Sequence, residues 1–172
     1  SRDGDVGRIF RFDAPAALEG LTLSHQMKSP KSKSLILARA PFTAIGCRFE
    51  QIWKREPKPN PMASVILATS KVTLERTEID ATVGCAISSY ISAENQPVTE
   101  LTLKSCAIAA VRGFYLSSNV AARSWSIALT NCNIVAGGVF CFDTQSQSIP
   151  HWMIEQSVID CAQMIMVRSP WV

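Results

Sequence analysis

Six cysteines, two histidines, 14 carboxylates and 17 basic side chains are what this 172-residue chain offers for chemistry. No two cysteines are spaced Cys-x-x-Cys, so a zinc site has no local signature. Cys47, Cys106 and Cys132 share one position of a repeat described below, and Cys85 falls at another inward position. Small buried positions account for them, and we expect thiols. Cys106 and Cys132 come close enough for a disulfide, but adjacent in-register parallel strands are seldom cross-linked. Free thiols favour a reducing, cytoplasmic compartment. Glycoside hydrolysis would need two carboxylates flanking one bond. Asp80 and Asp160 occupy equivalent places in repeats that are not adjacent, and His25 and His151 are read as loop residues from opposite ends of the chain. We therefore expect no catalytic residue, no metal and no cofactor here.

The basic residues are distributed unevenly. Ser24-His-Gln-Met-Lys-Ser-Pro-Lys-Ser-Lys-Ser34 and Glu50-Gln-Ile-Trp-Lys-Arg-Glu-Pro-Lys-Pro-Asn-Pro-Met-Ala-Ser64 carry Lys28, Lys31, Lys33, Lys54, Arg55 and Lys58 against Glu50 and Glu56. The whole chain is only +3, so the positive charge is concentrated in these two segments. Protruding loops on a rigid scaffold are where binding usually lives. An anionic ligand is the expected partner, with Trp53 as an aromatic contact.

The elements that must position these residues follow from an internal repeat. Pro15-Ala-Ala-Leu-Glu-Gly-Leu-Thr-Leu23 matches Pro41-Phe-Thr-Ala-Ile-Gly-Cys-Arg-Phe49 in spacing. The pattern returns in Val72–Ile79, Leu101–Ile108, Ile127–Ile134 and Trp152–Ile159. Each copy sets apolar or small residues at relative positions 0, 2, 5 and 7, and the copies start at 16, 42, 72, 101, 127 and 152. Period 2 within each segment means strand, and the step from position 2 to position 5 is a bend. A second short segment follows each copy: Leu35–Leu37, Val65–Leu67, Cys85–Ile87, Phe114–Leu116, Phe140–Phe142 and Ile165–Val167. Strand–bend–strand units of this length bury a continuous core only by stacking. Stacking predicts outward neighbours: Arg48 with Glu78, Glu75 with Lys104, Asp143 with Arg168, and a column of Thr43, Thr73 and Thr102.

With these strands and the Cys/Ser/Thr column at position 5, the chain resembles a right-handed parallel β-helix of the pectate-lyase-like superfamily from about Phe10 to Ser169. Right-handedness also follows from the general rule for parallel crossovers. The units of the "APFTAIGCRF" type are similar to β-helical regions attached to bacterial Ser/Thr protein kinases. Enzymes of the superfamily carry clustered carboxylates with a catalytic His, Arg or Lys, and that cluster is missing from the sequence pattern. We expect an all-β, right-handed parallel β-helix solenoid of about six coils, a single domain over 1–172 and a piece of a longer chain. Its expected role is that of a non-catalytic scaffold or interaction domain, with a carbohydrate-active or carbohydrate-binding β-helix as the alternative.

One more expectation concerns the second segment. Strand alternation turns its central residues outward, giving a stripe of Ile36, Ile66, Ala86, Tyr115, Cys141 and Met166. So apolar a stripe predicts cover from the chain's own loops, another subunit or a neighbouring domain. No run approaches 18 consecutive apolar residues, so no membrane insertion is expected.

Overall fold

The structure, a computed structural model, describes residues 8–27, 34–53, 63–91, 99–118, 125–143 and 150–168. Among them every regular element is a β-strand. In chain order these are β1 (Arg8–Phe12), β2 (Ala16–Glu19), β3 (Thr22–Met27), β4 (Ser34–Ala38), β5 (Phe42–Ile45), β6 (Arg48–Trp53), β7 (Ser64–Ala68) and β8 (Val72–Glu75). There follow β9 (Glu78–Ile91), β10 (Glu100–Lys104), β11 (Ala107–Ser118), β12 (Ser126–Thr130), β13 (Asn133–Asp143), β14 (His151–Glu155) and β15 (Val158–Arg168).

The smaller sheet stacks β14-β12-β10-β8-β5-β2, all parallel. Its register joins Ala16, Phe42, Val72, Leu101, Ile127 and Trp152 in one column, so the repeat starts are in register as expected. Leu74, Leu103 and Leu129 form the next inward column and are wholly buried, while Thr43, Thr73 and Thr102 line up on the outer side. Alternation thus delivers one apolar face inward, which is why the pattern could be read from sequence.

After each of these strands the chain must turn without losing its inward residue at position 5. One residue per coil does this by taking a left-handed conformation: Gly20, Gly46, Arg76, Ser105, Asn131 and Gln156, with φ between 48° and 63°. In four coils the residue is not glycine, a conformation that costs roughly 1–2 kcal/mol per residue for an ordinary side chain. Asn131 is the type best suited to it, and its Nδ2 donates to Ser105 Oγ at 3.1 Å across the coil step. The residue after the bend points back into the core, and Cys47, Thr77, Cys106 and Cys132 are all buried there.

The larger sheet runs β1-β4-β7-β9-β11-β13-β15, with β3 pairing β6 and β6 pairing β9. From β9 onward a single long strand supplies two sides of each coil. In the first two coils those sides are separate strands, β3 and β4, then β6 and β7. The result is a parallel β-solenoid of about four full turns, where six coils were expected. The difference lies in those first two coils, whose path between the two strands passes outside the described residues.

The larger sheet also corrects the outward stripe. Ala110 pairs with Ala81 and Arg112 with Cys85, so β9 spends two extra residues at this corner. A Cβ on Gly84 would lie 2.2 Å from the carbonyl oxygen of Ala63, so only glycine permits the close pass of β9 against this backbone. The neighbouring Cys85 N donates to the same oxygen at 2.7 Å. An insertion of two residues keeps the alternation in phase, and the pairing beyond the corner fixes which residues face inward. Ile36, Ile66, Ile87, Phe114 and Phe140 form one inward column, and all are essentially inaccessible. Ile36 and Ile66 are therefore core residues and not part of an outward stripe. Their flanking residues Leu35, Leu37 and Val65 are also at most 2% exposed, so both faces of these strands are buried within the single chain. Ala86 and Cys141 are buried too, Tyr115 is partly buried, and the side chain of Met166 lies outside the described residues. Phe114 stacks on Phe140 at 5.3 Å and Phe140 packs on Trp152 at 4.9 Å, so the aromatic column is core packing as expected.

Candidate functional site

Strand pairing brings the two basic segments together at their roots. β3 and β6 run in register to their ends, pairing Gln26 with Ile52 and Met27 with Trp53. The chain re-enters the sheet at β4 and β7, where Ser34 pairs with Ser64. Both segments thus leave and return at neighbouring levels of the solenoid. Lys28, Lys31, Lys33, Lys54, Arg55 and Lys58 lie outside the described residues, as does the side chain of Trp53.

The strands that carry these segments are polar inside, which the sequence pattern did not reveal. His25 is in β3 and His151 begins β14, so neither is a loop residue. His25 pairs with Gln51, which is 1% exposed. The Nδ1 of His25, both amide atoms of Gln51 and the Oγ of Ser34 are buried without a hydrogen-bond partner. Burial lowers the pKa of His25, which favours its neutral form.

A second cluster lies on the outer face of the larger sheet. Arg48 pairs with Glu78 and Glu50 with Asp80. Arg48 Nε lies 2.5 Å from Glu50 Oε1, and its Nη1 lies 3.2 Å from Glu78 Oε2. The hydrogen bond to Glu50 and the charges of Glu50 and Glu78 raise the pKa of Arg48. The Oδ1 of Asp80 is buried without a hydrogen-bond partner. Arg48, Glu78 and Asp80 line one end of a shallow groove of about 210 Å³ that continues over Ala107, Ala109 and Val135. Asp160 belongs to the same column but is separated from Asp80 by Ala109 and Val135, so those two do not meet, as expected. Glu50 and Asp80 do meet across adjacent strands, a carboxylate pair that the sequence analysis overlooked. The pairing of Arg48 with Glu78, extended by two residues, is the signal that would have found it. Of the other expected pairs, Glu75 aligns with Lys104 and Asp143 with Arg168.

A larger open groove, about 480 Å³, follows the bend and is lined in part by Arg76, Ser105, Cys106, Asn131, Cys132 and Gln156. Cys47, Cys85, Cys106, Cys132 and Cys161 are free thiols. Cys106 Sγ donates to the carbonyls of Leu74 at 3.5 Å and Lys104 at 3.4 Å. Cys132 Sγ donates to those of Leu103 at 3.5 Å and Thr130 at 3.4 Å. Among the described residues no group of three or more His, Cys, Asp or Glu side chains could hold a metal ion. Among the described residues no helix is long and apolar enough to cross a membrane.

Comparison of this chain with protein-family models, with curated proteins and with solved structures finds no match.

Proposed function

We propose that this β-solenoid is a non-catalytic scaffold that holds an anionic partner at the corner of its first two coils. The observation that carries the reading is the paired roots, Met27 with Trp53 and Ser34 with Ser64, which anchor two basic segments at neighbouring levels. The two segments carry six cationic residues in the sequence, and the rigid sheet at their roots limits the entropy lost on binding. The scaffold belongs, on this reading, to the pectate-lyase-like class of right-handed β-helices and serves as an interaction domain within a larger, kinase-type multidomain protein. A neighbouring domain or second subunit of that assembly is a further partner. Replacing Lys28, Lys31, Lys33, Lys54, Arg55 and Lys58 together with Ser should abolish retention on heparin or DNA resin. Wild-type retention should fall with added salt. Retention unchanged by the six substitutions would place the binding elsewhere.

The arrangement of Glu50, Glu78 and Asp80 around Arg48 supports a second reading, a carbohydrate-binding or carbohydrate-active β-helix. Glu50 Oε1 is engaged by the guanidinium of Arg48, which leaves this carboxylate held against its own neighbour and not presented to a substrate. We therefore expect no turnover of uronic-acid polymers, with or without calcium. Reproducible release of reducing ends, lost in Asp80→Asn, would establish the second reading over the first.

A further inference from the structure

We propose that the last coil of the solenoid is a dimer interface, where two copies of this chain meet end to end about a twofold axis. The core is open at that end. Ile127, Leu129, Ile134 and Phe140 are buried in the coil before it. Their register neighbours Trp152, Ile154 and Ile159 are only partly buried, and Ile165 is 50% exposed. Met153, Val158 and Met164 are exposed in the same coil. Among the described residues β14 and β15 end their sheets, so each strand leaves one edge without a neighbouring strand. Proteins commonly guard such edges with lysine or proline, and neither residue occurs in β14 or β15.

The edge of β14 indicates what covers this end. His151 N donates to Trp125 O at 2.8 Å, and Glu155 O accepts from Asn131 N at 3.0 Å. His151, Met153 and Glu155 therefore turn their backbone groups toward β12. The direction alternates along a strand, so Trp152 and Ile154 turn theirs to the open edge. A second β14, antiparallel and centred on Met153, sets Trp152 opposite Ile154 of the other copy. Those are the positions at which an antiparallel pair exchanges both N–H···O bonds. The same register sets His151 opposite Glu155 on both sides of the axis, an imidazole facing a carboxylate. It also joins the two open cores, apolar against apolar, and places Met153 against its own copy.

Head-to-tail stacking does not fit. At the opposite end of the solenoid β1 lies on β4, with Phe10 beside Ile36. Ile36 and Ile165 belong to one column, so β1 fills the place that the second half of β15 would need. A twofold pairing uses only the end formed by β14 and β15, and it closes after two copies. The interface shares no residue with the basic segments and does not rest on the anion-binding reading.

The test is sedimentation equilibrium of the 172-residue protein over a range of concentrations. Expected is a species of twice the 18.8 kDa chain mass. Met153→Lys should return it to monomer with its β-sheet circular dichroism intact, since this side chain is exposed and a charge on the axis faces its own copy. Met153→Cys should give a disulfide-linked dimer on mild oxidation. Antiparallel neighbours of the non-hydrogen-bonded kind lie about 4.5 Å apart between Cα atoms, a spacing that a disulfide accepts. The wild type and Val135→Cys, exposed on the outer face, should not cross-link. The variant lacking the six basic side chains should still dimerise. A wild type that stays monomeric, an open-ended polymer, or a dimer that Met153→Cys does not cross-link would overturn the proposal.

Discussion

Ile66→Lys is expected to prevent folding. Ile66 is wholly buried between Ile36 and Ile87, in the column that continues through Phe114 and Phe140. An ammonium there has no water and no partner. It must either lose its proton or force the coil open, and either route costs several kcal/mol. A penalty above about 4 kcal/mol is a large share of the 5–15 kcal/mol that stabilises an ordinary domain. The flanking face offers no escape, since Val65 is buried as well. Val135→Lys serves as the control: its side chain is 49% exposed on the outer face, and its effect should stay within about ±0.5 kcal/mol. Soluble yield and urea denaturation check both variants. An Ile66→Lys protein that is soluble and unfolds near the wild-type midpoint would show that this side chain faces outward.

Leu103→Ala and Leu129→Ala should each destabilise by about 2–5 kcal/mol. The two leucines are direct register neighbours in the column Leu74–Leu103–Leu129–Ile154, and both are wholly buried. Truncation loses the transfer energy of three carbons and leaves a cavity. A stacked sheet cannot close it without shortening its own hydrogen-bonded spacing of about 4.8 Å. Because the two sites touch, the double variant should cost an amount other than the sum of the singles. Chemical denaturation measures all three, and a loss below about half a kcal/mol in both singles would contradict the stacked register.

The solenoid was legible in the sequence because one face of each short strand is wet. In the smaller sheet, Thr43, Thr73 and Thr102 alternate with buried Phe42, Ala44, Val72, Leu74, Leu101 and Leu103, and that alternation records both the strand and its phase. The bend was legible too, since an inward residue at position 5 after one at position 2 is incompatible with a straight strand. So was the cross-coil pairing of Arg48 with Glu78.

Other features needed the tertiary structure. Leu35-Ile-Leu37 is buried on both faces, so its composition carries no alternation and no phase. Only pairing with β7 and β9 puts Ile36 and Ile66 in the core. β9 also takes two extra residues at a corner, and the reason for Gly84 is the carbonyl of Ala63, a contact no local pattern announces. The carboxylate pair Glu50–Asp80 likewise exists only through register. The thiols divide the same way. The repeat put Cys106 and Cys132 in one column, and the left-handed residues before them, Ser105 and Asn131, turn both into the core. Periodicity reports how side chains divide between core and water. Where both faces are buried, or where a backbone angle sets the direction, that division leaves no trace and the fold alone decides.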